Sequence, residues 1–214
     1  MRYLIVCGGK IDKEFGLNEI KTDGIDAIIA ADSGMDFLYE NGVTPDIIVG
    51  DFDSATTKAL DFFERKGQTE IHRLNPIKDD TDTEYAIRLA ISEGARSIVL
   101  LGATGSRIDH VLGNISLLGI GLESKADISI IDTNNRIRMA DKPVTIEKSA
   151  QYGRFVSLIA LTDDNEVSLK GFKYPVTDYS FDRFTSLGIS NEIVDDHALI
   201  DIHRGKFIII ESKD

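Results

Sequence analysis

The chain has 214 residues, 42% of them apolar, and a formal net charge of −12 from 24 Lys and Arg against 36 Asp and Glu. That length supports one large domain or two small ones with real cores, and the acidic excess argues against nucleic acid or an anionic membrane surface as a partner. No stretch reaches the roughly 20 apolar residues of a membrane span, the N-terminus lacks the longer apolar region of a signal peptide, and the single cysteine, Cys7, allows no internal disulfide, so a cytoplasmic protein is expected.

The first half alternates between two periods. Residues 3–7, 27–31, 46–50 and 97–101 are short apolar runs that read as buried parallel strands. Between them, 33–40, 56–65 and 83–93 carry apolar residues three or four apart, with Gly42, Gly67 and Gly94 as C-cap glycines. Residues 107–122 give a further helix, which its internal glycines weaken. Strand–helix alternation of this kind predicts a doubly wound, mostly parallel α/β sheet, in which ligands bind at the carboxyl ends of the strands.

Four strand ends carry chemistry. After the second run stand Asp32, Ser33 and Gly34, where Asp32 fits a helix cap as well as a ligand. After the third stand Gly50, Asp51, Phe52, Asp53 and Ser54. Two carboxylates two residues apart beside a buried strand repel unless a cation offsets them, and carboxylate oxygens with substrate phosphates suit Mg²⁺. Residues 78–84 set Asp79, Asp80, Thr81 and Asp82 before a helix. Capping accounts for one or two of these acids, and the cluster fits a cation site or a solvated tip equally, with Asp82 as a third metal ligand. The fourth, 102–110, is glycine-rich, offers backbone N–H groups to an anion, and adds Thr104, Ser106 and the forked donor Arg107. It is not a P-loop, because the Gly-Lys-Ser/Thr ending is absent. His110 and Asn114, four apart, share one helix face. Gly8-Gly9 reads as a turn.

From about residue 132 the pattern changes. Short β-like runs at 144–147, 155–161, 166–169, 193–194, 198–202 and 207–211 are separated by Asp, Asn and Gly, with Asn134-Asn135 as a turn. Domains are therefore expected at 1–134, an α/β unit, and 135–214, a smaller all-β sandwich.

In that order, Ala-Asp-Ser-Gly at 31–34, Gly-Asp-Phe-Asp-Ser at 50–54, the acidic stretch at 79–82, Gly-xx-Gly-xx-Ile-Asp-His at 102–110 and Ser-Leu-Gly-Ile-Ser-Asn at 186–191 make the chain resemble the thiamine pyrophosphokinase family. The resemblance implies an ATP:thiamine diphosphotransferase with an N-terminal nucleotide domain and a C-terminal thiamine-binding and dimerisation domain, acting as a homodimer with shared active sites. It implies Asp51, Asp53 and Asp82 as the catalytic Mg²⁺ ligands. Asp32, Ser33, Thr81, Thr104, Ser106, Arg107, Asp109 and His110 would lie around ATP, and Ser186, Ser190 and Asn191 around thiamine. Some members place a Trp near the thiamine ring; this chain has none. Two rival readings share part of the pattern. A pyrophosphokinase for a pterin-type alcohol would differ in the acceptor pocket, and a non-catalytic Mg-nucleotide-binding module would not require three metal-type acids.

Overall fold

The structure is a computed structural model that describes residues 1–52, 57–75 and 80–214. The chain divides into two compact units, Met1–Thr133 and Asn134–Asp214.

The first unit is a parallel sheet. Its strands are β1 (Arg2–Val6), β2 (Ala27–Ala31), β3 (Ile47–Gly50), β4 (Glu70–Arg73), β5 (Ser97–Leu101) and β6 (Asp127–Ile131), paired in the order β6-β5-β1-β2-β3-β4. Strand order therefore runs one way from β1 to β4 and resumes on the other side of β1. With right-handed crossovers, that reversal sends α1 (Lys13–Ile20), α2 (Gly34–Glu40) and α3 (Thr57–Lys66) to one face and α4 (Asp82–Ser92), α5 (Ile108–Leu117) and α6 (Gly119–Ser124) to the other. Packing agrees. Met35 and Leu38 of α2 and Phe63 of α3 join one core with Leu4, Val6, Ala30 and Ile48, while α4 lies against β1, β2 and β3. The fold is the doubly wound α/β class expected.

The structure differs from the sequence reading at several elements, each for a physical reason. The helix expected over 107–122 is two helices. At Leu118 the backbone N–H reaches back only three residues, to the Ile115 carbonyl, and Gly121 packs so closely that a Cβ there would lie 2.6 Å from the Ala126 carbonyl oxygen. Helix α1 is not among the expected helices, although Asp12 caps it by accepting from the Phe15 N–H. Strand β4 has no apolar run and owes its conformation to pairing with β3.

The second unit is a sandwich. One antiparallel layer is formed by β7 (Asn135–Ala140), β9 (Phe155–Ala160), β12 (Asn191–Glu192) and β14 (Phe207–Ser212), in the order β12-β9-β14-β7. The other is formed by β8 (Val144–Glu147), β10 (Glu166–Lys170), β11 (Val176–Tyr179) and β13 (His197–Arg204), in the order β11-β10-β13-β8. Alternate residues of both layers meet in a core that includes Val156, Leu158, Val167, Ile200, Ile202 and Phe207. Residue 135, expected in a turn, begins β7, and the run at 193–194 is not a strand: Ile193 makes one isolated bridge to Phe172. The charged strand β7 concealed itself in sequence because Arg136 and Arg138 both bond Glu211 of β14, which is wholly buried.

Candidate active site

Strand order reverses between β1 and β5, and in open α/β sheets that is where a crevice opens at the carboxyl ends. A cleft of about 670 Å³ lies there. Glycine permits the approach of its walls. A Cβ on Gly8 would lie 2.1 Å from Ser33 Oγ, one on Gly9 2.3 Å from the Gly102 oxygen, and one on Gly34 1.9 Å from the Val6 oxygen. The Gly9 N–H donates to that Gly102 oxygen at 2.9 Å, joining β1 to the turn after β5. Gly8-Gly9 is thus part of the cleft wall, and the strand-end rule that singled out the other motifs would have found it.

Three carboxylates converge beside the cleft. Asp32, Asp51 and Asp82 each offer an oxygen within 4.8 Å of the others, and all three are half-buried. Asp32 follows β2 in the left-handed region, at φ 49°, and its N–H donates to the Val49 carbonyl of β3. Phe52, just after Asp51, is also left-handed, at φ 62°. Non-glycine residues in this region cost on the order of 1 kcal/mol or more each and persist where the surroundings impose them. Asp82 opens α4, whose cap is Thr81: its hydroxyl accepts from the Glu84 N–H. Glu84 is occupied by Arg88 one turn on. Capping and pairing therefore employ Thr81 and Glu84, and Asp82 joins the carboxylate group. Charges this close repel by on the order of 3 kcal/mol per pair at an effective dielectric of ~20. A divalent cation removes that cost, and an all-oxygen donor set suits Mg²⁺.

Of the expected site residues, Asp32, Ser33, Thr81 and Asp82 line the cleft, together with Ser106, Arg107, Asp109 and His110. Asp51 belongs to the carboxylate group, which Asp32, expected near ATP, also joins. Asp53 lies outside the described residues. Thr104 gives its hydroxyl proton to Asp132 at 2.8 Å. Arg107 holds Asp109 through Nε and Nη2, at 3.2 and 2.5 Å, which keeps the Asp109 carboxyl below the usual carboxylate range.

The remaining three lie in the second unit. Ser186 is exposed. Ser190, at φ 60°, donates its N–H to Ser157 Oγ. Asn191 is buried, and its amide accepts from the Tyr174 N–H and donates to the Tyr174 carbonyl.

Residues 21–130 match the thiamin pyrophosphokinase catalytic domain and residues 143–207 the thiamin pyrophosphokinase vitamin B1 binding domain. The thiamine pyrophosphokinase of Bacillus subtilis strain 168 is 35% identical over 188 residues, 87% of each chain. The chain belongs to the thiamine pyrophosphokinase family. The crystal structure of thiamine pyrophosphokinase from Bacillus subtilis superposes with a TM-score of 0.89 at 32% identity, covering 100% of both chains. That of thiamin pyrophosphokinase from Geobacillus thermodenitrificans gives 0.86 at 29%, covering 100% of this chain and 98% of that one. The activity is accordingly that of a thiamine pyrophosphokinase, an enzyme that transfers a diphosphate group to thiamine.

One other constellation in the chain invites a different chemistry. Ser168 Oγ lies 3.0 Å from His203 Nε2 and 3.1 Å from Asp178 Oδ1. A nucleophilic triad needs the carboxylate on the ring nitrogen opposite the serine. Here Asp178 meets the same Nε2, at 3.3 Å, and Ser168 is buried while accepting the Asp178 N–H. The trio binds β10, β11 and β13 together, at the bulges in both pairings.

Proposed function

We propose that the cleft of the first unit takes ATP and a divalent cation, Mg²⁺, and that Asp32, Asp51 and Asp82 hold the cation. The convergence of these three carboxylates beside a cleft that a glycine-rich turn also lines is the observation that carries this reading. When bound, Mg²⁺ supplies charge neutralisation to the triphosphate.

The chain's own residues do the rest by positioning and electrostatics, as phosphoryl-type transfer requires. Backbone N–H groups of the 102–107 turn and the Arg107 fork take phosphate oxygens. The hydroxyl oxygen of thiamine bonds to the β-phosphorus, and the bond from that phosphorus to the oxygen bridging the α-phosphate breaks. AMP leaves with the electron pair, and a cleft aspartate accepts the hydroxyl proton.

We assign thiamine binding and dimerisation to the second unit. Phe184 and Leu187, 93% and 59% exposed, are apolar side chains that a second copy would cover. Light scattering should return twice the 23.6 kDa of one chain. The one cysteine is a buried free thiol, which suits the reducing cytoplasm, and among the described residues no helix is long and apolar enough to cross a membrane.

The test is product analysis. ATP and thiamine with Mg²⁺ should give thiamine diphosphate and AMP in equal amounts, EDTA should stop the reaction, and added Mg²⁺ should restore it. Thiamine monophosphate with ADP, or full turnover in EDTA, would overturn the assignment.

A further inference from the structure

The turn from Gly102 to Arg107 is fastened by its carbonyls and one hydroxyl, from three separate elements. The Gly102 oxygen is taken by the Gly9 N–H at the end of β1. The Ala103 oxygen accepts from Asn114 Nδ2 on the second turn of α5, at 2.8 Å. The Thr104 hydroxyl is held by Asp132, the residue after β6, at 2.8 Å. By contrast, no acceptor among the described residues takes the backbone N–H of Gly105, Ser106 or Arg107. The acceptors at the start of the turn are therefore satisfied within the protein, and the donors at its end are left for a ligand at the cleft. A six-residue glycine-containing turn has many alternative shapes, so what fixes this one decides how the donors converge.

We propose that Asn114 and the Thr104–Asp132 pair are positioning residues for the diphosphate donor. They touch no reacting atom; they hold the turn so that its N–H groups point together at phosphate oxygens. The proposal rests on ATP occupying this cleft. It also gives Thr104 a different duty from the direct ATP contact that family resemblance implies.

The test uses Asn114→Leu and Thr104→Val, which remove each hydrogen bond at nearly constant volume, with Thr104→Ser as the conservative variant and Arg107→Ala as a control for the cleft itself. Three quantities are read in the full-length enzyme: ATP affinity without thiamine, KM for each substrate, and the unfolding midpoint. Asn114→Leu and Thr104→Val should each weaken ATP binding and raise the KM for ATP roughly tenfold, with the KM for thiamine unchanged. Thr104→Ser should recover most of the loss. If both variants bind ATP as the wild type does and show only a lowered unfolding midpoint, the bonds are merely structural and the proposal is overturned. If Arg107→Ala also leaves ATP binding unchanged, the placement of the nucleotide fails; if Arg107→Ala loses ATP and the two variants do not, only the positioning role fails.

Discussion

The Thr83 hydroxyl, on the first turn of α4, donates to the Cys7 sulfur beyond the end of β1, 3.7 Å away. This contact ties the helix that carries Asp82 to the strand at the switch point. Burial pushes the Cys7 thiol up to about 11, against the Thr83 bond, which lowers it. The folded state thus keeps its proton where the unfolded chain, near 9, has released it. Stability from this group is complete below pH 9 and is lost as pH rises through about 11. The loss should be on the order of 2–3 kcal/mol. Tyr3, raised to about 12 chiefly by burial, adds its own loss only at higher pH. Urea unfolding at pH 8 and pH 10 should show the fall in wild type and a flatter profile in Cys7→Ala; equal slopes in the two proteins would refute it. Iodoacetamide should label Cys7 only after unfolding.

A second prediction concerns Glu211. Its carboxylate is wholly buried, bonds Arg136 at 2.7 Å and Arg138 at 2.9 Å, and accepts the Tyr152 N–H. Removing one member of a buried ionic group strands the others. Glu211→Gln should therefore cost about 3 kcal/mol in denaturant unfolding while leaving ATP affinity unaltered. A change below about 0.5 kcal/mol, the scale of an ordinary surface substitution, would show that solvent around the arginines already carries the load.

The same residues explain what the sequence disclosed and what it hid. Strands β1, β2, β3 and β5 were legible because burial on both faces demands continuous apolar runs. Strand β7 was not, because its two arginines are compensated by a glutamate some seventy positions away, a pairing invisible to local periodicity. In the site, Asp51 and Asp82 were legible as acids at strand and helix ends. In sequence Asp32 fits a cap or a nucleotide contact, since its membership in the carboxylate group depends on β2 lying beside β3. Asp132 carries no local signal either: its contact with Thr104 spans 28 residues and exists only because β5 pairs with β6.

Arg107 supplies a third prediction. Its guanidinium already grips a carboxylate through two nitrogens, at Asp109, in the geometry that two phosphate oxygens would present. Arg107→Ala should raise the KM for ATP about tenfold or more, as expected for loss of a charged hydrogen bond. Arg107→Lys, which keeps the charge and loses the fork, should recover less than half of that change on a logarithmic scale. Full recovery by lysine would mean that charge alone matters at this position.

Central to the proposed mechanism is one cation shared by Asp32, Asp51 and Asp82. The direct measurement is turnover of Asp51→Asn and Asp82→Asn at saturating ATP, thiamine and Mg²⁺, paired with their unfolding midpoints in EDTA. Each substitution should lower kcat by about 100-fold or more, the scale of losing a group that stabilises transition-state charge. The midpoint should hold or rise, because a repelling carboxylate has been neutralised. Near-wild-type kcat in either variant, with Mg²⁺ still required, would contradict a metal site built from these three side chains.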